Sequence, residues 1–94
     1  MYRVRDTLMG MVKKDAKRAM PPSALVIAQS IKGLMAERGV TQKQVAAVIG
    51  RTQGYVSERV SGVDAWNTLE LEQVADVLGF TDAFALLAEI QKRR

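Results

Sequence analysis

Residues 41–62 read TQKQVAAVIGRTQGYVSERVSG, and this stretch decides the fold. It contains two short segments in which apolar residues recur at helical spacing, separated by Gly50 and Arg51. Thr41 and Thr52 stand just before these segments, where a side-chain oxygen can cap a helix. A connection this short that contains a glycine favours two helices that cross steeply rather than lie side by side.

Helical spacing extends through nearly all of the chain, and no long stretch alternates as a strand would. We therefore expect an all-α fold, a compact bundle of five or six helices. The predicted helices are 3–19, 23–38 with Ser23 as its cap, 42–49, 53–61, 68–78 and a last one starting at Thr81 or Asp82. The positions predicted to be buried are Ile27, Ile31, Leu34, Met35, Val45, Ala46, Ile49, Val56, Val60, Leu71, Val74, Ala75 and Leu78.

The charge is distributed unevenly along the chain. The formal net charge is +4, yet residues 21–94 hold eight basic and eight acidic side chains, so the excess lies in residues 1–20. A basic excess favours polyanions such as nucleic acid. We therefore divide the chain into a basic amphipathic helix or arm (1–20) and a helical domain (21–94). Additional candidate phosphate contacts are Arg3, Arg5, Lys13, Lys14, Lys17, Arg18 and Lys43.

Two other interpretations of the basic segment stay open. It can be a solvated helix that packs Val4, Leu8 and Met11 on the body of the protein. It can also be a helix at a membrane surface, although Tyr2 is the only aromatic residue there to anchor it.

Composition argues against several classes of protein. The chain has no Cys and no His, which excludes disulfides, Cys/His zinc sites and His-dependent catalytic triads. It has no GxxxxGK phosphate loop and no paired carboxylates suited to acid–base catalysis. We expect no enzyme activity, no cofactor and no metal. No apolar run is long enough for a transmembrane helix or a signal peptide, so we expect a cytoplasmic location, in the nucleoid if the protein binds DNA.

The start of the 53–61 helix has side chains suited to double-stranded DNA. Gln53 can bond both N6 and N7 of an adenine in the major groove. Gly54 has no side chain, so the helix can approach bases or backbone closely, and the free N–H groups of the first turn favour a phosphate. Glu58 and Arg59 lie one turn further along, where they could reach bases or backbone. The competing interpretation is an ordinary solvated helix surface.

Residues 41–80 resemble the helix-turn-helix of the Cro and lambda-repressor family. The resemblance rests on an opening Thr-Gln, an alanine, a glycine at the turn, a Thr-Gln start of the second helix, a closing glycine and a final Ala-x-x-Leu-Gly. These are Thr41-Gln42, Ala46, Gly50, Thr52-Gln53, Gly62 and 75–79 (ADVLG). The resemblance implies a sequence-specific DNA-binding transcriptional regulator, a repressor or Cro-like protein of phage or prophage type that binds a palindromic operator.

The resemblance also implies roles for particular residues. It gives Gln42 a phosphate contact and the bracing of Gln53, and gives Gln53 an adenine. The loop 61–67 (SGVDAWN) is similar to Asn-Gly-Ile-Asn-Ala-Leu-Asn of the lambda-repressor type, which places Ser61 and Asn67 on phosphates. The full set of candidate DNA contacts is Gln42, Arg51, Thr52, Gln53, Gly54, Tyr55, Glu58, Arg59, Ser61 and Asn67.

Two positions depart from the pattern of the family. Asp64 replaces a base-contacting asparagine, and a carboxylate near phosphates is unfavourable unless it accepts a hydrogen bond from cytosine N4. Tyr55 replaces a small residue, where its ring could touch a thymine methyl group or a phosphate. The operator sequence therefore does not transfer from the family to this chain.

Apolar residues outside the two short helices raise further alternatives. Trp66 could flank a phosphate, but we favour it as a lid on the core. Phe84, Leu87 and Ile90 form the candidate interface of a homodimer, the alternative being packing within one core. The alternative function is an antitoxin or adaptor whose helical surface binds a partner protein, with or without autoregulatory DNA binding.

Overall fold

The computed structural model describes residues 20–94, which form five α-helices and contain no strand. The all-α prediction is confirmed for this part of the chain. The helices are α1 (Pro22–Arg38), α2 (Gln42–Ile49), α3 (Gln53–Ser61), α4 (Thr68–Leu78) and α5 (Ala83–Lys92). The predicted 3–19 helix, its apolar stripe and its basic side chains lie outside the described residues.

Local signals set most of the helix ends. Thr41 forms a capping box with Gln44, in which the Gln44 N–H donates to Thr41 Oγ1 at 3.1 Å and the Thr41 N–H donates to Gln44 Oε1 at 2.7 Å. Helices α1 to α4 each end at a glycine in the left-handed region. The predicted Ser23 cap is wrong: α1 begins at Pro22, whose fixed φ suits the first helical position, and Pro21 takes the cap position without a side-chain hydrogen bond.

The core lies where the five helices converge. Helix α1 packs against α3, α4 and α5, while α4 also packs against α2 and α5. The largest fully buried side chains are Ile31, Leu34, Val45, Val56, Val74 and Leu86. Of the positions predicted to be buried, Ile27 and Ile49 are only partly so. Trp66 is buried, as favoured from the sequence, and its indole N–H has no hydrogen-bond partner among the described residues.

Helix α5 faces the core differently from the prediction. Its buried residues are Leu86 and Ile90, whereas Phe84 is 82% exposed and Leu87 is partly buried. Phe84 and Ile90 are six positions apart, which places them about 120° apart around a helix with 3.6 residues per turn. They therefore cannot share one narrow stripe, and the assignment of Ile90 to a dimer interface is corrected: Ile90 belongs to the core of the monomer.

Polar contacts join the C-terminal ends of α1, α4 and α5. Arg38 Nη1 donates to the Leu78 carbonyl oxygen at 2.6 Å, and its guanidinium lies 4.5 Å from the centre of the Phe80 ring. Arg93 Nη1 donates to Glu37 Oε2 at 2.7 Å and Arg93 Nε donates to Glu89 Oε2 at 2.6 Å. The Arg93–Glu37 bond therefore joins the C-terminal end of α5 to that of α1, and the Arg38 bond joins α1 to α4.

Within residues 20–94, no helix has both the length and the apolar character needed to cross a membrane.

Candidate nucleic-acid interface

Three residues, Gly50, Arg51 and Thr52, connect α2 to α3. Gly50 has φ +72°, and the N–H groups of Gly50 and Arg51 both donate to the Ala46 carbonyl oxygen, at 2.9 and 3.0 Å. Thr52 Oγ1 accepts from the Tyr55 N–H at 3.1 Å and caps α3. Hydrogen bonds therefore join the link to the last turn of α2 at one end and to the first turn of α3 at the other.

The first turn of α3 is open to solvent. Thr52, Gln53 and Gly54 are exposed, and a methyl group added to Gly54 would meet only Thr52 Oγ1, at 3.9 Å. Ser57, Glu58 and Ser61 are exposed further along the same helix. The residues predicted to project outward at the start of this helix thus lie on its surface, where another macromolecule could approach them.

Gln42 lies at the start of α2 and is half-buried, whereas Gln53 is exposed. No hydrogen bond joins these two side chains in the part of the chain that the structure describes. The bracing of Gln53 by Gln42 that the resemblance implies therefore stays a prediction about a bound state. Lys43 and Arg51 are both exposed.

A cluster of three side chains, Tyr55, Arg59 and Glu70, joins α3 to α4. The Tyr55 hydroxyl donates to Glu70 Oε2 and accepts from Arg59 Nη2. Arg59 Nε donates to Glu70 Oε1 at 3.3 Å, and its guanidinium lies 4.1 Å from the centre of the Tyr55 ring. Glu70 is only 4% exposed. Its carboxylate is therefore a buried charge that is both paired and hydrogen-bonded, as burial of a charge requires.

The loop after α3 is tied to the same carboxylate. Glu70 Oε1 accepts from the Asn67 N–H at 3.1 Å, while Asn67 Oδ1 accepts from the Glu70 N–H at 2.8 Å, so the two residues form a capping box for α4. Asp64 Oδ2 lies 3.3 Å from Arg59 Nη1. Glu70 thus connects the middle of α3, the 63–67 loop and the first turn of α4.

The pKa values of the cluster follow from these contacts. Burial raises the pKa of Glu70, but the hydrogen bonds from Tyr55, Asn67 and Arg59 and the charge of Arg59 outweigh it, so that the pKa lies below its ordinary value. The hydrogen bond to Glu70 raises the pKa of Tyr55, which keeps the hydroxyl protonated and able to donate. The ionised form of Glu70 and the neutral form of Tyr55 therefore support each other.

This cluster engages Tyr55 and Arg59, two of the candidate DNA contacts, with α4 instead, so their contact with DNA stays a prediction. Their four-residue separation places them on one face of α3, and that face is turned towards the start of α4. The side chain of Arg59 is only 14% exposed. Sequence reasoning also missed Glu70. The signal that could have found it is the spacing Asn67-x-x-Glu70, which is typical of a capping box.

The remaining candidate contacts differ in whether their side chains already form hydrogen bonds or ion pairs within the protein. Ser61 Oγ donates to the Glu58 carbonyl oxygen at 3.3 Å and is exposed. Asn67 uses its carbonyl oxygen to cap α4, and its amide N–H groups donate to none of the described residues. Asp64 is exposed but is paired with Arg59, which partly neutralises the carboxylate that departs from the family pattern.

Comparison of this chain with models of protein families, with curated proteins and with solved structures found no match.

Proposed function

We propose that this chain is a sequence-specific regulator of transcription that binds double-stranded DNA through a helix-turn-helix formed by α2 and α3. The observation that carries the proposal is the three-residue link, hydrogen-bonded to both helices, after which α3 begins with Thr52, Gln53 and Gly54 exposed. An α-helix fits the major groove of B-DNA, which is about 12 Å wide. We assign α3 as the recognition helix.

In this proposal the exposed side chains divide into base contacts and phosphate contacts. Gln53 bonds N6 and N7 of an adenine, and Gly54 lets the helix approach closely because it has no side chain. Gln42 at the start of α2 and Asn67 at the start of α4 contact phosphates on either side of the groove, where the N-terminus of each helix adds a favourable dipole. Lys43, Arg51, Ser61 and Glu58 are the further candidates on the same surface.

Most of the electrostatic attraction to DNA comes, in this proposal, from the basic N-terminal segment. The 21–94 segment has no net formal charge, and two of its arginines, Arg59 and Arg93, are already paired with carboxylates. Phosphate contacts supply the sequence-independent part of the affinity. The cationic side chains of residues 1–20 therefore supply most of that part, while α3 supplies the choice of sequence.

The proposed functional unit is a homodimer on an imperfect palindrome. One small module buries only about 600–1,000 Å² on DNA, and a second copy doubles that area. Phe84 is the most exposed large apolar side chain among the described residues, and it lies on α5, so we place the contact between subunits there. Two-fold related recognition helices would then meet successive major grooves, about 34 Å apart. Repression follows when the bound dimer occupies a promoter.

The experiment that tests this function is selection of bound duplexes from a random library by the purified full-length protein. The expected result is a single enriched motif with two-fold symmetry, in which a variant that carries Gln53→Ala loses the preference at one base pair of each half-site. A library that shows no enrichment at any salt concentration would overturn the proposal.

A second candidate is an antitoxin or adaptor that binds a partner protein. The exposed Phe84 favours it, because an 82% exposed aromatic side chain suits a protein interface whether the partner is identical or different. Sedimentation of the purified protein separates the two cases. A homodimer that Phe84→Glu splits places Phe84 between identical copies, whereas a monomer that enriches no DNA motif favours a different partner.

A further inference from the structure

We infer that Tyr55 is a positioning residue for DNA binding, which holds the guanidinium of Arg51 in place as a phosphate contact and does not itself touch DNA. The inference rests on the proposed function and deepens it. The juxtaposition that carries it is the Arg51 guanidinium, 4.8 Å from the centre of a tyrosine ring whose hydroxyl is bonded to the buried Glu70.

Hydrogen bonds of its hydroxyl group hold the Tyr55 ring in place. Its hydroxyl donates to Glu70 Oε2 and accepts from Arg59 Nη2, and Glu70 is in turn held by the backbone N–H of Asn67 at 3.1 Å. These bonds restrict the rotation of the side chain. A tyrosine in this position therefore presents the face of its ring in one orientation.

The contact with the Tyr55 ring stabilises Arg51 in an unfavourable electrostatic position. It lies two residues before the first residue of α3, beside the positive end of the helix dipole, where a cation is unfavourable. The negative face of an aromatic ring attracts a guanidinium and offsets part of this repulsion. Donation of the hydroxyl proton to a carboxylate adds electron density to the ring and strengthens that attraction.

The consequence for DNA binding is electrostatic and entropic. Arg51 and the free N–H groups at the start of α3 together form a positive region next to Gln53, which suits a phosphate of the DNA backbone. A free arginine loses rotamer freedom when it binds a phosphate, whereas a guanidinium already stacked on a ring loses less. Tyr55 therefore increases affinity through Arg51.

A double-substitution cycle on a short duplex of the selected sequence tests the coupling. Arg51→Ala should weaken binding about tenfold, through loss of a charge-assisted bond. Tyr55→Leu should weaken it about two- to fivefold, as loss of an exposed cation–π interaction predicts. The double variant should bind no more weakly than Arg51→Ala alone. Independent effects that multiply in the double variant would overturn the inference.

The salt dependence of binding distinguishes positioning from a general structural role. Arg51→Ala removes one phosphate contact and should flatten the slope of log affinity against log salt by about 0.9. Tyr55→Leu should keep the full slope, because the contact is still made, although less tightly. Lys32→Ala removes an exposed cation on α1, outside the proposed interface, and is the control that should leave the slope unchanged.

If Tyr55→Leu prevents folding, two milder variants decide the question. Arg51→Lys keeps the charge but loses the planar stacking, and Tyr55→Phe keeps the ring but loses the hydroxyl bond to Glu70. Both should weaken binding in the wild-type background, and Arg51→Lys should make the effect of Tyr55→Phe disappear. Additive effects would refute the positioning role of Tyr55 but would leave the proposed function standing. A wild-type protein that binds no duplex would refute the proposed function as well.

Discussion

The side chain of Leu25 on α1 lies against the backbone of Gly62 at the end of α3. A methyl group on Gly62 would come within 3.1 Å of Leu25 Cδ1, and Gly62 has φ +85°. Gly50 has a similar φ of +72°, but no atom within 4 Å of the position of an added methyl group. An alanine at Gly50 would therefore suffer backbone strain only, whereas an alanine at Gly62 would suffer both backbone strain and crowding.

We expect Gly62→Ala to destabilise the protein more than Gly50→Ala. Both alanines adopt a left-handed conformation, which costs about 1–2 kcal/mol. Only the substitution at Gly62 also requires Leu25 to move. Urea denaturation followed by circular dichroism gives both free energies of unfolding. A greater loss of unfolding free energy for Gly50→Ala than for Gly62→Ala would contradict the crowding that the structure places at Gly62.

Glu70→Gln should reduce stability near neutral pH and make stability less sensitive to acid. The pKa of Glu70 is lowered in the folded protein, so its carboxylate stabilises the fold above the ordinary value of 4.5, and this stabilisation is lost as the pH falls through the lowered value. Free energies of unfolding measured from neutral to acidic pH test this. Asp76→Asn, which changes an exposed carboxylate on the same helix, should keep the pH dependence of the wild type.

Gln53→Ala should weaken binding to the selected DNA by about 1–3 kcal/mol and relax the preference at one base pair. The reason is the loss of two hydrogen bonds to one base in the major groove. Titrations against all single-base variants of the selected site measure both effects. Gln29→Ala, at an exposed glutamine on α1, is the matched control. If Gln53→Ala lowers the affinity for every single-base variant of the site by the same factor, Gln53 does not contact a base.

Phe84→Glu should split a homodimer and leave the monomer folded. Phe84 is 82% exposed, so a charge there disturbs no core, whereas a charge at the buried Ile90 would. Sedimentation velocity and circular dichroism of the same samples report on both properties. Leu69→Glu, at a side chain 66% exposed on α4, should remain dimeric. A dimer that survives Phe84→Glu would move the interface away from this part of α5.

Replacing the four cations Lys13, Lys14, Lys17 and Arg18 by glutamine should lower affinity equally on all DNA sequences. Removal of each cation that binds a phosphate should flatten the log–log salt slope by about 0.9. Competition between selected and random duplexes, repeated at several salt concentrations, separates affinity from specificity. The control is a variant with Lys32 and Arg94 replaced by glutamine. An unchanged slope in the four-cation variant would show that this segment does not contact DNA.

The bounds of α2, α3 and α4 were predictable because their signals are local. A threonine or asparagine before a helix and a glycine after it act within one turn, so the spacing in the sequence carries the information. The cluster around Glu70 was not predicted as a whole, because it depends on how α3 packs against α4. Periodicity likewise identified α5 but not its buried face, since Phe84 is as apolar as the core residue Leu86.

The position of Trp66 gives the protein an internal spectroscopic reporter. It is the only tryptophan in the chain and is 7% exposed, in the loop that precedes Asn67. Indole emission shifts to longer wavelength when water reaches the ring, so unfolding can be followed by fluorescence without a label. Because its neighbour Asn67 is a candidate phosphate contact, the same emission would also register a rearrangement of this loop when DNA is added.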